Sequence, residues 1–170
     1  MEKLALVTGA NRGIGYEACR QLGHAGFIVI LTSRNHDQGV EARNEISTEG
    51  IEILYHELDV TKLEDIEKIS EFVKTKFGRL DVLVNNAGVN FDEEKDITEI
   101  EIEVIDETMK VNFYGPLHLT RAVIPIMKKN NYGRIVNVSS AGGSLSMMAT
   151  MKGKMSAYRI SKAALNAQTR

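Results

Sequence analysis

The chain has 170 residues, 43% of them apolar, and its 21 Lys and Arg against 23 Asp and Glu leave a net charge of −2. That length suits about one domain with a real core, and basic residues spread along a nearly neutral chain remove the electrostatic case for a nucleic-acid partner. The single cysteine, Cys19, excludes an intramolecular disulfide framework and reads as a packed thiol. With a first strand beginning almost at Met1 and no apolar run long enough for a bilayer, the expectation is a soluble cytoplasmic protein with neither leader nor membrane partner.

Leu4, Ala5, Leu6 and Val7 form a short apolar run that leads into the turn TGANRGIG, residues 8–15, and then into a helix-compatible segment. The spacing of Gly9, Gly13 and Gly15 lets the chain bend, lets backbone N–H groups approach a pyrophosphate and lets the helix sit close to the strand. Gly9, Asn11, Arg12, Gly13, Ile14 and Gly15 are therefore candidate cofactor contacts. No Lys-Ser/Thr pair follows the last glycine, which excludes a P-loop.

Ala18, Cys19, Leu22 and Ala25 recur at helical spacing, Gly26 ends that helix, and residues 27–31 are a continuous buried-strand run. A helix over 36–49 with Val40, Ala42 and Ile46 inward closes at Gly50, and Ile51, Ile53 and Tyr55 alternate as a third strand. Thr61 and Glu64 make a capping box ahead of the inward positions Leu63, Ile66, Ile69, Val73 and Phe77, with Gly78 as a stop. Residues 80–84 are a fourth strand leading into Asn85, Asn86, Ala87 and Gly88. The acidic run of Asp92, Glu93, Glu94 and Asp96 reads as solvated surface.

A second capping box, Thr98 with Glu101, opens a helix expected from about Ile100 to Lys129, bent or interrupted at Gly115-Pro116 and at Pro125. Residues 133–138 are a fifth strand, 141–155 a loop, and a last helix starts at Ser156. Strands alternating with helices throughout predict an α/β fold: a Rossmann-type three-layer αβα sandwich around a doubly wound parallel sheet of order 3-2-1-4-5. Residues 1–170 are expected to form a single dinucleotide-binding domain.

Ligands of such sheets bind outside the carboxyl ends of the strands. There the chain carries the glycine turn, Thr32-Ser33-Arg34, Asp59-Val60, the 85–88 segment and Ser139-Ser140. Where an NAD site usually places an acid for the ribose 2′-OH, this chain offers Ser33 and Arg34, and Arg12 lies in the turn itself. Guanidinium groups suit a 2′-phosphate, so the expected cofactor is NADP(H). Tyr158 and Lys162, four residues apart, share one face of the last helix, where an ammonium beside a phenol favours the phenolate. Ser140 reaches the same end of the sheet and could hydrogen-bond a substrate oxygen.

TGANRGIG at 8–15, NNAG at 85–88, Asn112 within MKVNFYG, RIVNVSS at 134–140 and YRISK at 158–162 occur in that order. In these motifs the chain resembles the short-chain dehydrogenase/reductase family over essentially its whole length, and is most similar to NADPH-dependent carbonyl reductases. The resemblance implies that Tyr158 is the catalytic acid/base. It implies that Lys162 favours the phenolate and holds the nicotinamide ribose, and that Ser140, with Ser139 as neighbour, polarises the carbonyl. Asn112 is implied to hold a water in a proton relay, although the residues alone mark it as a helix-bend position. Asp59 and Val60 match adenine-side contacts, and Asn86, Ala87 and Gly88 the segment along the cofactor.

The implied reaction is reduction of a small-molecule ketone or aldehyde, with a 3-oxoacyl thioester as an alternative substrate. Met147, Met148, Met151 and Met155 suit a permissive ketone pocket or the cover of a core equally well. Family members continue past the position of Arg170, so a C-terminally truncated chain is expected. The competing expectation is a cofactor-binding or interaction module with little turnover. Monomer and homo-oligomer both remain open.

Overall fold

A computed structural model describes residues 3–95, 97–148 and 154–169. Two compact units are formed, Met1–Ala87 with His118–Val136, and Gly88–Leu117 with Asn137–Arg170.

In the first unit, β1 (Lys3–Val7), α1 (Gly13–His24), β2 (Phe27–Ser33), α2 (His36–Ser47), β3 (Ile53–Glu57), α3 (Leu63–Lys76) and β4 (Val82–Asn85) follow the expected rhythm. Leu4, Ala5, Leu6 and Val7 are all buried, as are Val29, Ile30 and Leu31, because a parallel strand is covered on both faces. Ala5 pairs with Val29 on one side and Val82 on the other, both in parallel register, and β2 pairs in parallel with β3. With β5 (Arg134–Asn137) outside β4, the sheet order is β3-β2-β1-β4-β5. The chain thus winds outward from β1 to β3 and then returns to wind the other way. Right-handed crossovers in opposite directions place the connecting helices on opposite faces, which is the expected doubly wound arrangement.

Local details differ from expectation where a competing partner is present. The Thr61–Glu64 box does not form: α3 has Lys62 at its N-cap without a side-chain bond. Instead Asp59 Oδ1 accepts from the Thr61 N–H at 3.0 Å and the Thr61 hydroxyl at 2.7 Å. The reach-back role falls to Asp65, whose Oδ2 accepts from the Asp59 N–H at 3.2 Å. Leu63, expected inside, is 54% exposed, whereas Ile66, Ile69 and Val73 are buried.

The expected long helix is three elements: α4 (Ile102–Met109), a π-helical turn (Lys110–Tyr114) and α5 (Gly115–Lys129). A 3₁₀ turn, Ile97–Glu99, precedes them. Glu101 is the N-cap of α4 without a side-chain bond, so the Thr98–Glu101 box does not form either. Pro116 stands four residues beyond Asn112 and has no N–H to give its carbonyl, so the α-helical ladder must break at that point. Pro125 lies inside α5, which continues to Lys129. In the second unit, a 3₁₀ turn (Ala141–Gly143), the short α6 (Leu145–Met148) and α7 (Ser156–Gln168) occupy much of the expected loop and the final helix. Asp96, Met151 and the side chain of Met148 lie outside the described residues. Among the described residues, no helix is long and apolar enough to cross a membrane.

Asp81 joins three strand starts. Its carboxylate accepts from the Leu4 N–H at 2.8 Å, its N–H donates to Leu4 O at 2.9 Å, and its carbonyl accepts from the Arg134 N–H at 2.8 Å. The Arg79 guanidinium reaches both carboxylate oxygens, at 2.9 and 2.5 Å. Burial pulls the carboxyl upward, but the bonds from Arg79 and Leu4 outweigh it and its pKa is net lowered. A carboxylate with a lowered folded value stabilises above its unfolded pKa of about 3.9, and that contribution is lost as pH falls through the folded value. Replacing Asp81 by Ala leaves a buried N–H and a guanidinium without their acceptor. It should destabilise the protein by about 3 kcal/mol at pH 7 in urea unfolding, and the gap from wild type should close on acidification below pH 4.

Candidate active site

The glycine turn is held by close approach, by the Thr8 hydroxyl and by the Asn86 side-chain amide. Gly9 has φ +60, and a Cβ there would lie 2.8 Å from Ala87 Cα. A Cβ on Gly15 would lie 2.4 Å from Asn86 Nδ2. These contacts leave no room for a side chain. The Asn86 amide donates to Thr8 O at 2.9 Å and Gly9 O at 3.0 Å. The buried Thr8 hydroxyl accepts from the N–H groups of Asn86 and Ala87, both at 3.0 Å. The turn is also tied to β2, since the Ala10 N–H donates to Thr32 O at 2.8 Å.

Helix α1 begins after Arg12 with no side-chain cap and no acid in its first turn. Its leading N–H groups form an uncompensated positive end. Ile14 is 69% exposed, and the space around Gly13 is open. Asn11 and Arg12 line a cavity of about 260 Å³ with Gln38, Glu41, Ala42 and Glu45, and the Asn11 amide donates to Gln38 Oε1 at 3.0 Å. Arg34 is exposed, whereas Ser33 is buried and its hydroxyl donates to Asn35 O at 2.6 Å. Asp59 is half-buried and engaged by Thr61, Val60 is buried, and Gly88 is exposed.

In the second unit, α7 packs against α4, the π turn and the 141–143 turn. Lys162 is 4% exposed. Its ammonium donates to Val138 O at 2.8 Å and stands 5.7 Å from the Tyr158 ring centroid, so the helical spacing does bring the pair together. Burial pushes the lysine pKa down. Ser140 N-caps the 141–143 turn, its Oγ accepting from the Gly142 N–H at 3.1 Å. A Cβ on Gly142 would lie 3.6 Å from Ser140 Oγ and 3.8 Å from Tyr158 Cε1, so serine and tyrosine converge on that glycine. The Ser139 hydroxyl is buried with no hydrogen-bond partner among the described residues.

Asn112 is fully buried in the π turn. Its oxygen accepts from the Val89 N–H at 2.8 Å, and its two N–H bonds go to Val89 O and Ser161 Oγ, both at 2.9 Å. Ser161 in turn donates to Tyr158 O at 2.7 Å.

A family model for short chain dehydrogenase matches residues 3–170. The chain belongs to this family. Over 164 residues it is 43% identical to (+)-neomenthol dehydrogenase of Arabidopsis thaliana, covering 84% of this chain and 55% of that protein. Over 140 residues it is 41% identical to carbonyl reductase (NADPH) 1 of Rattus norvegicus, covering 81% and 49%. The chain therefore spans about half the length of these curated relatives. A solved metagenomic short-chain oxidoreductase in complex with NADP has a TM-score of 0.86 at 35% identity, covering 98% of this chain and 72% of that one.

Three positions of this chain carry more than their sequence context indicates. Thr8 and Ser161 sit inside recognised motifs, so a hydroxyl at a strand end and one beside the lysine were available signals. Asp92 had none, because its partners lie 65 and 66 residues away. Expected on the solvated surface, it is 0% exposed. Its carboxylate accepts from the Ala157 N–H at 2.7 Å and the Tyr158 N–H at 3.3 Å, a pair of first-turn donors of α7 that need an acceptor. Of the loop methionines, Met147 is 48% exposed, and Met155 is half-buried with its sulfur accepting from Asn90 Nδ2 at 3.4 Å. Cys19 is packed as expected, and burial pushes its thiol up to about 12.

The turn is testable through its tightest glycine. A left-handed φ costs a non-glycine residue roughly 1–2 kcal/mol, and the overlap with Ala87 adds to it. Gly9→Ala should therefore lower unfolding stability by at least about 2 kcal/mol, read by urea titration, whereas Gly13→Ala, with open space, should cost only the backbone strain.

Proposed function

We propose that this chain forms the dinucleotide-binding domain of an NADP(H)-dependent reductase that converts a small-molecule ketone or aldehyde to an alcohol in the cytoplasm. The observation that carries the proposal is the Tyr158–Lys162 pair: a buried ammonium 5.7 Å from a phenol ring that shares its Gly142 neighbour with Ser140. The carbonyl reductase relative and the NADP in the solved relative support the cofactor and the reaction class.

The residues present fit a dinucleotide. The uncapped start of α1 suits a pyrophosphate, and a side chain at Gly9 or Gly15 would meet backbone or the Asn86 amide. Arg12 and Arg34 are exposed cations suited to a 2′-phosphate. Asp59, Val60 and the 86–88 segment are the residues we assign to the rest of the cofactor. When bound, the nicotinamide supplies the hydride.

The chain's own residues handle the proton and the oxygen. Ser140 Oγ accepts from Gly142, which leaves its O–H proton for the substrate oxygen. Tyr158 gives its phenolic proton to that oxygen as the alcohol forms, and the Lys162 ammonium stabilises the phenolate left behind. Asn112 commits its side chain to Val89 and Ser161, so the part we propose for it in a proton relay goes to its backbone carbonyl.

Two measurements on the full-length protein test this. Tyr158→Phe should reduce NADPH-dependent turnover over a ketone and aldehyde panel by at least about 100-fold while NADPH binding, followed by fluorescence, persists; unchanged turnover rejects the assignment. Arg34→Ala should shrink the preference for NADPH over NADH by about 10-fold. An unchanged affinity ratio removes the 2′-phosphate role.

A further inference from the structure

Tyr158 is gripped by its main chain at both ends. On one side its N–H donates to Asp92 Oδ1 at 3.3 Å. On the other its carbonyl accepts from Ser161 Oγ at 2.7 Å, and that oxygen is held by the Asn112 amide. The two grips are joined, because Asn112 also clasps Val89 through two hydrogen bonds, three residues before Asp92. The loop that follows the NNAG motif is thereby fastened to Asn112 at one end and to the tyrosine's peptide at the other.

The same loop meets the start of α7 at two further points. Asn90 Nδ2 donates to Met155 Sδ at 3.4 Å, and Glu94 forms an ion pair with Lys154. Met155, the N-cap of α7, is in the left-handed region at φ 63 and offers the helix no side-chain cap. A residue without glycine's freedom is thus held in a strained turn directly ahead of the catalytic tyrosine, and Asp92 supplies the acceptor that its own helix lacks. An exposed acid would do this weakly, but Asp92 is 0% exposed. Low local dielectric strengthens its bonds and makes the geometry hard to shift.

We infer that Asp92 is a positioning residue for the reaction: its carboxylate sets the backbone from which the Tyr158 phenol is aimed. This rests on the assignment of Tyr158 as the acid/base. The chain spends a buried charge to fix one peptide, and displacement of a reacting group by about 1 Å is enough to lower a rate 100-fold.

The test uses the full-length protein in the variants D92A, D92N, D92E, E94Q and Y158F, with kcat expressed per NADPH-binding site so that unfolded protein is not counted. D92A should lower kcat about 100-fold with the KM for NADPH little changed. D92N, which keeps one accepting oxygen, should recover roughly 10-fold of that loss. E94Q removes the neighbouring ion pair but touches no α7 N–H, and its kcat should stay near wild type. Equal kcat in D92A and wild type overturns the proposal, as does a D92A loss that E94Q reproduces.

Should D92A not fold, D92E decides: pushing the carboxylate one methylene farther should lower kcat about 10-fold, and parity overturns the role. A readout independent of turnover is the ¹⁹F spectrum of protein labelled with 3-fluorotyrosine, in which Y158F assigns the Tyr158 signal among the five tyrosines. That signal alone should shift in D92A or D92E; if it stays in place, or if all five move together, the inference is wrong. Y158F separates the two ideas. Full turnover in Y158F sinks the acid/base assignment whatever Asp92 does, whereas an inactive Y158F beside a normal D92A or D92E sinks only the positioning role.

Discussion

The buried carboxamide of Asn112 is the constraint on which the tyrosine-bearing unit depends. Its three strong hydrogen-bonding positions are occupied by Val89 N–H, Val89 O and Ser161 Oγ. A fully satisfied amide in a dry interior admits no alternative rotamer without leaving a polar group unpaired. That rigidity passes through Ser161 to the carbonyl of Tyr158 and through Val89 to the loop that ends at Asp92. The π turn belongs to the same constraint: Pro116 withholds the N–H that would continue the α-helical ladder at Asn112, so this stretch of chain adopts the wider turn in which Asn112 is fully buried.

The two units solve positioning in opposite ways. The glycine turn works by subtraction. At Gly9 and Gly15 any side chain would collide with Ala87 or Asn86, and the polar work is left to backbone N–H groups, to Thr8 and to the Asn86 amide. The tyrosine unit works by addition, placing Asp92, Asn112, Ser161 and Lys162 in its interior, each of which must find a partner to be tolerated there.

This contrast also explains what was legible in the sequence. The strand order and layers could be read because buried parallel strands are continuous apolar runs such as residues 4–7 and 27–31, punctuated by glycines. The Tyr158–Lys162 pair could be read because four residues on a helix always share a face. Features decided by competition or by distant partners could not. Thr61 carries a sound capping signal, but Asp59 binds its hydroxyl first. Ser33 stands where a ribose contact is expected, yet Asn35 O takes its proton. Asp92 sits in a run of acids that periodicity marks as surface, and only a fold that brings residue 157 to it reveals a cap.

Lys162 shows what such a site costs. Its ammonium is desolvated, and burial lowers its pKa below the ordinary value near 10.4. Between the lowered value and the ordinary one, the unfolded chain binds a proton that the folded chain does not, so folding stability rises with pH across that window. Desolvation of the ammonium therefore works against folding. The Val138 carbonyl, accepting from the ammonium at 2.8 Å, offsets part of that penalty. A methionine at this position would avoid that desolvation, but it could not serve the role proposed for Lys162 beside the Tyr158 phenol. The lysine breaks a local rule at the same place where Asp92 and the left-handed Met155 break theirs, and all three converge on the peptide of Tyr158 and the helical turn around it.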